Sequence, residues 1–154
     1  MSQRLVAEFE PTEKVWVSTT LTEHSWPGCL DAARAQHAAM RETIAQHVPV
    51  DCPQNHGIQT NDAWVRDFGP IFTLDPRGRR TAHDLVFNCW GGKYQDYQLD
   101  DAVPTRLAET LGWQLRQHGL VLEGDAVESD GQGTALLDEA CLSNPNRGGR
   151  GRDD

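Results

Sequence analysis

What the chain has little of narrows it first. Its four cysteines, Cys29, Cys52, Cys89 and Cys141, fall in no CxxC or CxxH step, which argues against a zinc site or a disulfide framework. Its six histidines are scattered, with none in an HxD or HxxxH pair. No apolar run approaches the roughly 18–20 residues of a membrane span, and the opening MSQRLVAEFEP has no apolar signal core, so a cytoplasmic protein with no membrane partner is expected. Basic residues are also few. Fourteen against 23 acids leave a net charge of −9, which argues against nucleic acid and suits small cationic molecules.

What is present fits one domain. The 154 residues are 38% apolar with a mean hydropathy of −0.60, and five tryptophans concentrate apolar mass in a short chain. VWVST at 15–19 reads as a short strand, and Ser25 and Pro27 in TEHSWPG as a helix entry. Leu30, Ala33, His37, Met40 and Ile44 recur at spacings of three and four, which predicts a helix over 28–47 packed by one face. Strands are predicted at 63–75 and 81–89 around the turn DPRGRR. A helix follows at 100–111, capped by Asp100 or Asp101 and stopped at Gly112, then short strands at 119–122, 126–129 and 134–138. Both halves repeat one order: a helix, an acid close to a glycine (Asp67 and Gly69, Glu123 and Gly124), then a hairpin turned by Asp and Gly. This suggests two copies of a mixed module, each presenting one carboxylate at an equivalent place.

Residues 60–70, TNDAWVRDFGP, set acids, an arginine and an asparagine between Trp64, Val65 and Phe68. Polar groups beside aromatics cost several kcal/mol unless each finds a partner. Asp67 and Glu123, if brought to one site, could hold a divalent cation, act as an acid and base couple, or grip a guanidinium or amine. A planar guanidinium suits two acceptors best, and Trp64 could supply a flat wall for it. The plainer alternative pairs Asp67 with Arg66 and leaves Glu123 on the surface.

TNDAWVRDFGP, FNCWGGKYQDYQLDD at 87–101, LEGDAVESDGQGT at 122–134, CLSNPNR at 141–147 and AEFEP at 7–11 resemble the agmatine deiminase family, which includes bacterial peptidylarginine deiminases. The likeness runs in order through residues 4–147. It implies an α+β pentein fold, a propeller of five ββαβ modules of which about two are here. It also implies hydrolysis of a guanidine C–N bond, agmatine and water giving N-carbamoylputrescine and ammonia on the way to putrescine. Neither metal nor cofactor is implied. A cysteine thiolate would attack the guanidinium carbon, a histidine would move protons, and acids would hold the nitrogens.

On that resemblance Asp67 and Glu123 match the guanidinium-binding acids, and Trp64, Asn88 and Trp90 match substrate-binding positions. The family's nucleophilic cysteine and its HxD histidine match nothing in this chain. The expectation is therefore an N-terminal part of a pentein catalytic domain over 1–147, followed by a non-family tail at 148–154, and inactive alone. A peptidylarginine-directed enzyme and a non-catalytic guanidine-binding remnant are the other readings, and the full-length form could be a homo-oligomer. Two departures from the family stand out: Thr19 and Thr20 replace an aromatic-proline pair, and Asp125 replaces a glycine. A special backbone conformation at 125 would cost on the order of 1 kcal/mol in an aspartate, and its charge would act on Glu123.

Overall fold

The computed structural model describes residues 3–149, so the part of the expected tail from Arg150 onward lies outside the described residues. A four-stranded sheet carries the fold in the order β1 (Arg4–Leu5), β4 (Ile71–Leu74), β5 (Arg80–Val86), β6 (Gln114–Val121). β1 pairs antiparallel with β4, and β4 with β5 through the turn Asp75–Gly78. β5 and β6 are parallel, so the chain must cross over between them, and it does so through α4 (Gln98–Asp101) and α5 (Val103–Leu111). Strand, strand, helix, strand is thus complete once, from Ile71 to Val121. Before it, β2 (Val15–Trp16), α1 (Leu30–Ala45) and β3 (Val50–Asp51) form a parallel pair with its crossover helix. After it, β7 (Val127–Ser129) and β8 (Ala135–Leu137) form an antiparallel hairpin.

α5 forms for reasons its sequence displays. Pro104 sits in the first turn, Val103, Leu107 and Ala108 are buried on one face, and Gly112 ends the helix at φ +68°, where Trp113 N–H closes on Ala108 O. Its apolar face meets Ile58, Phe68, Phe87 and Cys89 in the core. α1 buries Ala33 and half-buries Leu30, His37 and Ile44, as its spacing predicts, whereas Met40 is exposed.

Three local expectations differ from what is observed. Residues 63–70 are not strand: Val65–Phe68 make one helical turn, α2, closed by Gly69 N–H on Val65 O at 2.8 Å. A Cβ at position 69 would lie 2.4 Å from that oxygen, so glycine permits the turn, and the turn buries Asp67 and Phe68 side by side. Ser25 does not cap α1. The helix starts after Cys29 without a side-chain cap, and Ser25 Oγ donates instead to Asp62. Asp100 and Asp101 do not cap a helix either. Asp100 accepts from the backbone N–H groups of Asn61 and Asp62 at 2.7 and 3.3 Å, and Asp101 from that of Phe87 at 2.7 Å, pinning distant segments together.

At the departure of residues 19–20, the Thr20 hydroxyl joins a polar cluster. Thr60 Oγ1 donates to Thr20 Oγ1 at 2.7 Å, Ser18 and Thr60 hydroxyls meet at 2.8 Å, and Gln54 Nε2 reaches all three. Every hydroxyl there has a partner, which is the condition for burying it.

A buried carboxylate pair beside an aromatic cavity

α2 and the 3-10 turn Gly124–Ala126 pack backbone to backbone. A Cβ at Gly124 would lie 2.2 Å from Arg66 O, so glycine is what lets the two meet. The next residue on each side of that contact is an aspartate, Asp67 and Asp125, and the residue before Gly124 is Glu123. Sequence repetition gives Asp67 and Glu123 equivalent places in two modules, and the packing of α2 on the 124–126 turn sets them close enough for the charge of Glu123 to act on Asp67.

The environments of the three acids differ. Asp67 and Glu123 are buried, at 7% and 1% exposure, while Asp125 is exposed. Burial raises the Asp67 pKa well above the carboxylate range, and the charge and hydrogen bond of Asp125 and the charge of Glu123 raise it further, against Arg66. Glu123 Oε1 is buried without a hydrogen-bond partner, and its nearest cation is Arg147, whose Nε is 3.5 Å away. Arg147 also contacts Cys141 Sγ. Arg66 is taken by Glu8. The plainer alternative, Asp67 paired to Arg66 with Glu123 on the surface, therefore does not describe this structure.

The expected backbone cost at Asp125 is absent. Among the described residues only Cys89 and Trp90 are non-glycines with positive φ, and Asp125 sits in an ordinary turn. Its charge bears on Asp67, where the sequence pointed to Glu123.

Trp64 and Trp90 lie on a neighbouring wall, with Asn88 next to Trp90 in the chain but outside the lining. Trp64 leads into α2; its ring stacks on Trp26 (centroids 6.3 Å, interplanar 12°) and meets Trp90 edge-on at 6.0 Å. Trp90 packs edge-on against Phe87 and Tyr94. Trp64, Phe87, Trp90 and Tyr94 line a cavity of about 450 Å³ together with Asp62 and Asp100, which Asp67 and Glu123 do not line. The aromatic wall and the carboxylate pair are thus adjacent compartments joined by α2, with Trp64 three residues before Asp67.

Trp90 is aimed by a strained turn. Cys89, Trp90, Gly91 and Gly92 (α3, Cys89–Gly92) have φ of 56°, 55°, 83° and 78°, a left-handed run that costs L-residues roughly 1–2 kcal/mol each. Burial of Cys89 and the ring contacts of Trp90 hold it. Asn88 secures both ends: its Oδ1 accepts from Gly91 N–H at 2.8 Å, and its Nδ2 donates to Asn146 O at 2.9 Å. Asn146 is the residue before Arg147, so Asn88 braces the segment that places a cation on Glu123. Its observed contacts are all to protein backbone.

Burial pushes the thiols of Cys89 and Cys141 up, away from the thiolate form. Among the described residues no group of three or more His, Cys, Asp or Glu side chains is arranged to hold a metal ion. No helix among them is long and apolar enough to cross a membrane.

Comparison with known proteins agrees in extent. The family described as Porphyromonas-type peptidyl-arginine deiminase matches residues 4–153. An agmatine deiminase of Stutzerimonas stutzeri (strain A1501) is 34% identical over 92% of this chain and 45% of its own length. That of Pseudomonas aeruginosa (strain LESB58) is also 34% identical, over 94% of this chain and 45% of its own. The solved agmatine deiminase of Enterococcus faecalis superposes on 94% of this chain and 46% of its own, with a TM-score of 0.85 at 30% identity. A substrate-bound cysteine-to-serine variant of the C. jejuni agmatine deiminase gives 0.83 at 27% identity, over 95% of this chain and 48% of its own. The chain spans about half the length of the relatives it matches.

Proposed function

Because the chain belongs to the Porphyromonas-type peptidyl-arginine deiminase family, we propose that Asp67 and Glu123 form the acidic grip for a guanidinium in an agmatine deiminase-type C–N hydrolase. The observation that carries this reading is Glu123: a carboxylate at 1% exposure, with one oxygen lacking any hydrogen bond, beside a second buried acid. A buried charge persists only where a partner repays its desolvation, and a planar cation with forked N–H groups can serve both acids at once. Arg147 already sets a guanidinium 3.5 Å from Glu123.

In this reading the acids orient the guanidinium, and the wall of Trp64 and Trp90 shields the carbon chain that carries it, with Asn88 holding the wall in place. The fold is the first part of a pentein propeller, with Ile71–Val121 as one full ββαβ module. Attack on the guanidinium carbon needs a thiolate and a proton carrier. Neither the nucleophilic cysteine nor the HxD histidine that the family resemblance implies matches a residue of this chain, so the reading has the 154-residue chain alone bind without turnover. The substrate is agmatine; the family's description makes peptidyl-arginine the competing substrate.

Calorimetry of the chain with agmatine, and with an N-acyl arginine amide in place of peptidyl-arginine, tests the reading. Agmatine should bind, with at least tenfold loss in Asp67→Asn and in Glu123→Gln and no ammonia released. Preference for the arginine amide would transfer the proposal to the peptidyl substrate, and equal binding by both variants would refute the grip.

A further inference from the structure

We propose that His83 and His118 form a surface site for one divalent transition-metal ion of the zinc, nickel or copper class, which on binding ties β5 to β6. Neither histidine lines the aromatic cavity, and the inference does not depend on the guanidine reading.

The two histidines are 35 positions apart, and the parallel register makes them neighbours. His83 stands opposite Arg116, so His118, two residues further along β6, shares its face of the sheet. His83 Nδ1 and His118 Nε2 are 2.9 Å apart, with ring centroids 5.1 Å apart and planes at 19°. On the other side of His83, Nε2 lies 2.8 Å from the hydroxyl of Thr73, a buried residue of β4. One hydrogen-bonded row of Thr73, His83 and His118 thus crosses three strands.

That row prepares two nitrogen ligands. A neutral imidazole has one N–H and one lone pair. With Nε2–H of His83 donating to Thr73 Oγ1, Nδ1 keeps the lone pair, and the hydroxyl is the outer partner that a ligating histidine ordinarily has. Two nitrogens bound roughly 2.0–2.1 Å from one ion and at right angles stand about 2.9 Å from each other, which matches the observed separation. The proton between the rings then belongs to His118 Nε2. It moves to Nδ1 of the same ring as the metal–nitrogen bond forms, so both ligands stay neutral and no proton is lost.

Near-parallel planes require one ring to turn toward the ion, and His118 is exposed while His83 is held by Thr73. Nitrogen donors favour these ions over calcium or magnesium. Asp84, the residue after His83, is held by Thr105 and Gln117, and the charge of Arg116 opposes a cation. Two protein ligands, with water completing the shell, therefore make a modest site. An ion there joins strands separated by the α4 and α5 crossover, and binding to the folded chain stabilises it.

The test is zinc and nickel calorimetry on the metal-stripped 154-residue chain at neutral pH, beside His83→Ala, His118→Ala and, as a control for an exposed histidine elsewhere, His47→Ala. Near-UV circular dichroism checks folding. The parent and His47→Ala should bind one equivalent and melt at higher temperature with zinc, while each site variant should lose at least about tenfold in affinity and most of the rise. Long-range ¹H–¹⁵N spectra of the parent, which need no variant, should show zinc shifting Nδ1 of His83 and Nε2 of His118. Undiminished binding in either site variant, zinc shifts confined to other histidines, or no stoichiometric binding by the parent overturns the site.

Discussion

Asp67 and Asp100 are both buried aspartates whose protons are held to about pH 7, mainly by burial, yet they do opposite work. Asp100 accepts from two backbone N–H groups, of Asn61 and Asp62, and its carboxylate is finished by them. Asp67 faces other acids, Asp125 and Glu123, and its nearest arginine is engaged elsewhere. An elevated proton affinity alone therefore does not separate a structural acid from a functional one; the identity of the partners does. Amides make Asp100 a clamp, and carboxylates make Asp67 an unfilled acceptor.

The contrast is broken most strongly at Asp100. Asp100→Ala leaves two backbone donors without their acceptor and should cost about 2–4 kcal/mol in urea unfolding followed by tryptophan fluorescence, with Asp100→Asn milder because it keeps an oxygen. A loss below that range would mean that the loop at 61–62 is held by something else.

Next in size is the pH dependence of stability. Asp67 and Asp100 bind protons more tightly folded than unfolded, so their contribution is complete below pH 4 and is lost as pH rises through about 7. The slope is at most about 1.4 kcal/mol per pH unit for each group. Asp51 and Glu10, held low by their partners, act in the reverse sense and weaken the fold as acid is added. Urea midpoints from pH 3 to 8 should therefore pass through a maximum and decline toward pH 8. Asp67→Asn should remove part of the decline, and a flat profile would contradict both shifts.

A smaller effect sharpens the comparison directly. At pH 8 Asp67→Asn should be stabilised, by about 1 kcal/mol, because a buried charge facing acids has been removed, while agmatine binding is lost. Stability and binding moving together would make Asp67 a structural acid like Asp100. Smallest is Asn88→Ala, which removes the hydrogen bond to Gly91 and the tie to Asn146 and should cost about 1 kcal/mol in the same unfolding experiment.

Much of this was legible because it is local. The face of α1, the stop of α5 at Gly112 and the hairpin turns follow from periodicity and from glycine placement. The 65–68 turn was not, since Val65 and Phe68 suit a strand as well, and the deciding contact is Gly69 with its own helical turn. The repeated acid and glycine steps marked Asp67 and Glu123 as equivalent positions, and their closeness comes from the contact of Gly124 with the Arg66 carbonyl. The ion pair of Glu123 with Arg147 was not legible, because that arginine arrives from a segment braced by Asn88, 58 residues away from the Asn146 it holds. Asp100 was misread as a cap for the same reason: its donors lie 38 and 39 positions away.

β1 has a consequence for how the chain is made. Among the described residues its only sheet partner is β4, with Arg4 opposite Leu74 and Leu5 opposite Thr73, and the Arg4 side chain also donates to Gly131 O, 127 residues on. During synthesis at roughly 5–20 residues per second, the first strand must wait several seconds for its neighbour and about as long again for its last contact. β1 is thus made before both of the segments that hold it, and its place is fixed only after they emerge.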